Sequence, residues 1–265
     1  MKPMAYLSVG LVMLALAGFN SQGRNGQEPV PSSGQMAVES GMRANGAIAP
    51  LVARSELALP LPLRVALQAG HWKAAEAPDE LSGLRYNGGT SSGGKQEWEV
   101  NLKIAELTAS LLEEAGYEVE ILPATVPQRY EADVFVAIHA DGNNDSSISG
   151  YRVGAPRRDA TGRAGEFAEM LAQTYGEATG IRRLPVATRR MRGYYAFRYN
   201  RYRHAIHPMT VGVIIETGFL TSDVDRKVIV GDPDRAAQGI FAGITRFLGP
   251  PIMEATATAP TRASH

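Results

Sequence analysis

Three residues that could take part in catalysis each follow an apolar stretch of the chain. His71 comes shortly after residues 64–69, His139 follows Val-Phe-Val-Ala-Ile, and Glu216 follows Val-Gly-Val-Ile-Ile. Such stretches predict buried strands of a parallel sheet. The carboxyl ends of parallel strands meet at one edge, which is where open α/β sheets bind ligands. We therefore expect these three side chains to converge.

Glu97 reaches the same edge from a different element. It opens a predicted helix and shares a helical face with Asn101 and Ile104, which turns it toward the sheet. Two imidazoles and one carboxylate are the ligand set of catalytic zinc sites, which keep a fourth position for a water. The metal acidifies this water and polarises a carbonyl, and an unliganded carboxylate accepts the proton. The pattern predicts a Zn²⁺ hydrolase with Glu216 as general base.

Each of the four residues also has a purely structural interpretation. His71 could simply terminate a strand, and Glu97 could simply stabilise the positive end of its helix, without either of them binding a metal. His139 could be a hydrogen-bonded, half-buried histidine, and Glu216 a buried acid satisfied by backbone donors or an arginine. Taken together the four favour a metal site, because buried ionisable groups are costly unless they are paired or liganded.

The elements that must position these residues alternate between strands and helices. Apolar runs predict strands, and apolar residues at helical spacing predict helices, the first of which stops at Gly116. The predicted strands are residues 64–69, 117–122, 133–138, 150–153 and 210–215, and the predicted helices are residues 97–115, 165–176 and 233–248. This order predicts an α/β three-layer sandwich, with a mostly parallel central sheet and helices on both faces, in a single catalytic domain.

Composition limits the chemistry further. The 265 residues include no cysteine, which excludes thiol nucleophiles, thiolate metal sites and disulfides. Any metal site must therefore use His, Asp and Glu. Lys plus Arg and Asp plus Glu both number 27, so the overall charge does not indicate a polyanion-binding protein.

The ends of the chain differ from its middle. Residues 1–19 combine a lysine, an uncharged apolar stretch and small residues, which predicts a secretory signal peptide, with an uncleaved anchor as the alternative. Residues 20–62 predict a flexible linker, 63–249 the catalytic domain and 250–265 a disordered tail. We expect an exported protein, in the periplasm, cell wall or extracellular space, without stable membrane insertion after cleavage of the signal.

Other residues compete for the same roles. Glu99 could replace Glu97 as ligand, but it is rotated off the face that meets the sheet. His204 and His207 are spaced as ligands would be, but they precede the Glu216 strand at its opposite end. Arg192 lies in a stretch dense in arginine and tyrosine, and it is a candidate contact to an anionic substrate; a solvated basic face is the alternative. We expect no nucleic-acid partner.

The sequence resembles the zinc-dependent N-acetylmuramoyl-L-alanine amidases of cell division, sporulation and phage lysis. The resemblance spans about residues 65–248. It depends on four motifs: Ala69-Gly70-His71, Glu97-Trp-Glu-Val-Asn101-Leu102, Ile138-His139-Ala140-Asp141 and Ile215-Glu216-Thr217-Gly218-Phe219-Leu220-Thr221-Ser222.

The resemblance implies hydrolysis of the amide between N-acetylmuramic acid and L-alanine in bacterial peptidoglycan. It implies that His71, Glu97 and His139 bind Zn²⁺ and that Glu216 is catalytic. The loop after His71 departs from the family, whose members continue into a glycine-rich stretch containing aspartate. Substrate preference therefore stays open. A zinc peptidase on wall stem peptides and a non-catalytic peptidoglycan-binding module are the alternatives.

Overall fold

The computed structural model describes residues 62–250. The predicted signal peptide, the linker up to residue 61 and the tail from residue 251 lie outside it. The strands are β1 (Arg64–Ala69), β2 (Ser91–Ser92), β3 (Lys95–Gln96), β4 (Glu118–Leu122), β5 (Val134–Asp141), β6 (Arg152–Gly154) and β7 (Val211–Phe219). The α-helices are α1 (Glu97–Glu114), α2 (Ala164–Thr179), α3 (Arg189–Arg192), α4 (Asp223–Ile229) and α5 (Pro233–Leu248).

A five-stranded sheet in the order β4-β1-β5-β7-β6 forms the centre of the fold. All neighbouring pairs are parallel except β6 and β7, which are antiparallel. Strands β2 and β3 form a separate short hairpin before α1. The predicted mostly parallel α/β sheet is confirmed. His139 and Glu216 lie inside β5 and β7, however, because both strands run past the predicted ends at residues 138 and 215.

Alternate residues of the strands face opposite sides of the sheet. Val136 points to the side covered by α1, α2 and α5. Phe135 and Ile214 point to the other side, which is covered by α3 and the irregular segment between α3 and β7. His139 and Glu216 share the parity of this second side, and they are direct partners in the register of β5 and β7. Their side chains therefore project from the sheet as neighbours.

Helix α1 has local signals at both ends. Its first turn is stabilised by the Glu99 carboxylate, which accepts a hydrogen bond of 2.8 Å from the Gln96 backbone N–H. At the other end Gly116 adopts a positive φ of 92°. The backbone N–H of Tyr117 donates to the Leu112 carbonyl at 3.0 Å, which completes a Schellman motif. These signals explain why the predicted bounds of this helix are nearly those observed.

The two faces of the sheet are covered differently. Three long helices pack on one face, and α5 contacts both α1 and α2. The other face has the four-residue helix α3, a 3-10 turn at Tyr195–Phe197 and extended chain. Among residues 62–250 no helix is both long enough and apolar enough to cross a membrane.

Candidate metal centre

Three predicted ligands come together at the carboxyl edge of the sheet. Glu97 Oε1 lies 3.2 Å from His71 Nε2 and 3.2 Å from His139 Nδ1. The three side chains offer one donor atom each, and these atoms all lie within 4.8 Å of one another. Glu97 and His139 are buried, whereas His71 is partly exposed. The site is therefore shielded by protein but reachable from one side.

The turn after β1 brings two of these residues together. His71 has a left-handed backbone with a φ of 64°, and the Gly70 N–H donates to the Ile138 carbonyl at 2.9 Å. A Cβ on Gly70 would lie 2.4 Å from Cε1 of the His139 ring. Glycine is required at this position because the ring lies directly against the backbone.

Each candidate ligand is held by a further hydrogen bond on the side away from the cluster. His71 Nδ1 lies 2.8 Å from the Asn87 carbonyl, so in the neutral imidazole Nδ1 carries the proton and Nε2 is left to bind a cation. Glu97 Oε2 accepts from the Thr90 N–H at 2.8 Å. Such outer contacts fix the orientation of metal ligands.

His139 has an equivalent contact through a tyrosine. Its Nε2 lies 3.3 Å from the Tyr194 hydroxyl, which in turn lies 2.9 Å from Gln68 Oε1. The Gln68 amide nitrogen donates to the Ala124 carbonyl and to Tyr195. Gln68 Oε1 therefore accepts the hydroxyl proton of Tyr194, and the hydroxyl oxygen accepts from His139 Nε2–H. This arrangement leaves Nδ1 of His139 as the donor atom of the cluster.

The donor set fits a zinc ion. Tetrahedral zinc with bonds of about 2.0–2.1 Å separates neighbouring ligand atoms by about 3.3 Å. The two separations from Glu97 Oε1, both 3.2 Å, are close to this value, and all three donor atoms lie within 4.8 Å of one another. His71, Glu97 and His139 would hold the metal, and the open side of the cluster would remain for water or substrate.

Electrostatics couples the three ligands. Burial acts to raise the pKa of Glu97, but hydrogen bonds and charge from His139 and His71 outweigh it and hold the pKa well below its usual value. Burial acts to lower the pKa of His71, but the hydrogen bond and charge of Glu97 leave it raised. The ionised form of Glu97 is the form that binds a cation.

Glu216 lies beside the cluster and has no direct hydrogen bond to any of the three ligands among the described contacts. Burial raises its pKa well above the usual value, and the nearby carboxylates of Glu97 and Asp141 raise it further, while Arg152 opposes them. Arg152 also approaches Asp141 with an N···O distance of 3.5 Å. A free carboxyl group with a raised pKa suits a proton acceptor, and a bound dication would favour its ionised form.

The cluster opens into a groove of about 800 Å³. His71, Glu97, His139 and Glu216 all line this groove. Its walls come from the loop before α1, the end of β5 and helix α3. A cleft of this volume is the size of a ligand-binding site, so a substrate group has room to enter beside the metal-binding atoms.

The rival ligands lie elsewhere. Glu99 is used at the start of α1. His204 Nδ1 lies 2.5 Å from Glu80 Oε1, and His207 Nε2 lies 3.8 Å from Glu131 Oε1. Among residues 62–250 the only cluster able to hold a metal is the one formed by His71, Glu97 and His139.

Arg192 is not among the residues of this groove. It lines a neighbouring cavity instead, together with other arginines. Its contact with substrate stays a prediction.

Several residues of the site carried no recognisable sequence signal. Asn87 and Thr90 lie in the divergent loop, and Tyr194 lies 55 residues after the histidine that it contacts. Gln68 could have been found from strand parity, because it shares the face of its strand with Ala66 and is buried. The other three depend on long-range contacts that a single sequence does not specify.

Comparison with known proteins gives the family. The sequence profile of the N-acetylmuramoyl-L-alanine amidases matches residues 65–246. The chain belongs to the N-acetylmuramoyl-L-alanine amidase family. The match includes all four motif residues, His71, Glu97, His139 and Glu216.

Individual relatives are distant. The N-acetylmuramoyl-L-alanine amidase AmiC of Neisseria meningitidis serogroup B is 25% identical over 214 residues, which are 63% of this chain and 51% of the relative. The chain thus spans about half the length of this curated relative. An N-acetylmuramoyl-L-alanine amidase from Clostridium difficile 630 has a similar structure, with a TM-score of 0.52, 20% identity and coverage of 71% of this chain and 97% of the other. The N-acetylmuramoyl-L-alanine amidase AmiC2 of Nostoc punctiforme is also similar in structure, with a TM-score of 0.51, 20% identity and coverage of 70% of this chain and 97% of the other. At these identities the structural likeness supports the fold.

Proposed function

We propose that this chain is a zinc-dependent hydrolase that cuts the amide bond between N-acetylmuramic acid and L-alanine in bacterial peptidoglycan. The observation that carries the proposal is the convergence of His71, Glu97 and His139 beside Glu216 in an open groove. Membership of the amidase family supports the choice of bond. Because peptidoglycan lies outside the cytoplasmic membrane, the proposed place of action is the periplasm, the cell wall or the extracellular space.

The proposed roles follow from the position of each side chain. A zinc ion held by the three ligands would supply a polarised carbonyl and a more acidic water. Glu216 accepts the proton of the attacking water and returns it to the leaving amine of L-alanine. Its carboxyl group suits both steps, since burial and neighbouring carboxylates raise its affinity for a proton.

The test is replacement of Glu216 by Gln in the full chain. This change keeps the shape of the side chain but removes the proton acceptor, so turnover should fall by about 10³-fold or more while zinc stays bound. Purified sacculi are digested and the products are identified by mass spectrometry. The unaltered protein should release stem peptides with a free L-alanine amine.

Each alternative has a distinct outcome in this assay. Cuts only within stem peptides would overturn the named bond and indicate a zinc peptidase. Binding to sacculi without any cleavage by the unaltered, zinc-loaded protein would indicate a binding module. Undiminished turnover by Glu216→Gln would remove Glu216 from the mechanism.

A further inference from the structure

A second cavity, of about 680 Å³, lies next to the metal-binding groove. Five arginines line it: Arg157, Arg158, Arg189, Arg192 and Arg198. No acidic residue is among its lining residues. We call this cavity the arginine pocket.

The arginines of this pocket have no ionic partners in the described part of the chain. Elsewhere arginines pair with carboxylates, as Arg183 does with Glu169 at 2.7 Å and Arg64 with Glu118 at 3.2 Å. Among residues 62–250 no ion pair involves any of the five pocket arginines. Five like charges around one cavity repel one another, and a bound anion would relieve that repulsion.

The backbone holds the two walls of the pocket together. The Arg157 N–H donates to the Arg192 carbonyl at 3.0 Å, which joins the chain after β6 to the end of α3. Phe197, which is 5% exposed, also lines the cavity and packs in the apolar cluster on the second face of the sheet. The backbone that carries these arginines is therefore packed, whereas the side chains of Arg157, Arg158, Arg189 and Arg192 are exposed, where a ligand can reach them.

The pocket and the groove share a wall. Arg189 lines both cavities, and Arg190 and Met191 of the same short helix line the groove. Helix α3 is thus the ridge between the candidate metal centre and the arginine pocket. A ligand group that left the groove over this ridge would enter the arginine pocket.

We propose that the arginine pocket binds carboxylate groups of the stem peptide whose first amide bond lies at the metal centre. This inference rests on the proposed function. A stem peptide carries free carboxylates beyond the amide to be cut, and the planar guanidinium group can bind a carboxylate through two parallel hydrogen bonds. The pocket then selects wall peptides whose carboxylates are free over those whose carboxylates are amidated.

The test is a binding titration that involves no turnover. Full-length protein carrying Glu216→Gln, which keeps the metal ligands but lacks the proton acceptor, is loaded with zinc and titrated by calorimetry with a synthetic muramoyl tripeptide bearing free carboxylates. The same compound with amidated carboxylates is titrated in parallel. We expect the free-carboxylate compound to bind about tenfold more tightly, the effect of one charge-assisted contact. The preference should shrink as salt is raised, because partly exposed charges are screened.

Paired variants locate the effect. The double variant Arg157→Gln/Arg192→Gln should lose the preference, whereas Lys103→Gln/Lys227→Gln removes the same charge from exposed helical positions outside both cavities and should keep it. Circular dichroism and zinc affinity verify folding. If the double glutamine variant does not fold, Arg157→Lys/Arg192→Lys is used instead. It keeps the positive charge but cannot bind a carboxylate in a bidentate manner, so it should lose most of the preference.

Three results would overturn the inference. The first is equal affinity for the two compounds, and the second is an unchanged preference in a folded arginine variant. The third is that the pocket binds a glycerol-phosphate polymer but does not bind the muramoyl peptide. Because the titration needs no cleavage, an error in the proposed bond leaves its outcome intact. Conversely, if the carboxylate preference is absent, the unaltered enzyme should still cleave sacculi, so the proposed function would stand without this inference.

Discussion

The orientation of His139 depends on residues that are not ligands themselves. Tyr194 faces its Nε2, and Gln68 accepts the tyrosine proton, so the chain of hydrogen bonds runs in one direction. The Gln68 amide nitrogen is anchored in turn on the Ala124 carbonyl. The imidazole is thereby held in the tautomer whose Nδ1 faces Glu97.

Replacing Tyr194 by Phe should weaken zinc binding about tenfold, the lower end of the effect of outer contacts to metal ligands. The ring would still pack, but His139 Nε2 would lose its partner and the imidazole its fixed orientation. Competition with a chromophoric zinc chelator measures the affinity. Tyr202→Phe, in the loop outside both cavities, is the control and should leave it unchanged. Equal affinities for the two variants would mean that His139 is oriented without Tyr194.

At this scale the sequence predicts the candidate ligands but not the residues that support them. His71, His139 and Glu216 were predictable because apolar strands precede them, and strand ends meet at one sheet edge whatever the loops do. Tyr194 was not predictable in this role. It occurs in a stretch of arginines and tyrosines without periodicity, which indicated a basic surface. Its contact with His139 exists only because this stretch folds over the second face of the sheet.

At the scale of elements, predictability follows local signals. Helix α1 has a first-turn carboxylate, regular apolar spacing and a terminal glycine, and its predicted bounds are close to the observed ones. The strands β5 and β7 were predicted too short. The apolar runs end before His139 and Glu216, but the backbone pairing between the two strands continues through these residues. The 3-10 turn at Tyr195–Phe197 and helix α3 have few residues and little periodicity, so tertiary packing decides their structure.

The contact between α2 and α5 requires glycine on one helix. A Cβ on Gly243 would lie 2.8 Å from the Leu171 Cα and 2.9 Å from Thr174 Oγ1. Thr174 also donates across the contact to the Gly239 carbonyl at 2.8 Å. The two helix backbones therefore approach closely, and an added methyl group would have to push one of them away.

Gly243→Ala should therefore destabilise the fold although alanine is the better helix former. Helix propensity favours alanine by about 1 kcal/mol, whereas overpacking against backbone costs about 1–3 kcal/mol. We expect a net loss of about 1 kcal/mol in urea unfolding of the metal-free protein. Gly165→Ala on α2 is the matched control, since nothing lies within 4 Å of its added Cβ. It should gain about 0.5 kcal/mol. A gain of equal size in Gly243→Ala would contradict the tight contact.

At the scale of the whole molecule, the candidate metal centre joins elements that are distant in sequence. His71 follows β1, Glu97 begins α1 and His139 belongs to β5. The divergent loop of residues 72–94 separates the first two and contributes Asn87 and Thr90 as supports. A bound metal would therefore fasten this loop to the edge of the sheet. The fold class could be predicted because it depends on the alternation of strands and helices, but the path of this loop could not, because its contacts are not periodic.

Zinc should consequently stabilise the folded chain. A ligand present at about 1,000 times its Kd contributes about 4 kcal/mol. In a domain of this size such a contribution raises Tm by about 10 °C. Chelation by EDTA should reverse the rise, and differential scanning calorimetry at fixed pH measures it.

Glu97 is the ligand whose assignment this experiment tests most directly, because the sequence supports it more through resemblance than through strand geometry. Glu97→Gln keeps an acceptor for the Thr90 N–H but removes the negative charge, so the zinc-dependent rise in Tm should largely disappear. Glu99→Gln, two residues along the same helix, keeps an acceptor for the Gln96 N–H and should retain the rise in full. If Glu97→Gln showed the full rise and Glu99→Gln lost it, the metal would be held by Glu99, and α1 would have to rotate to present that residue to His71 and His139.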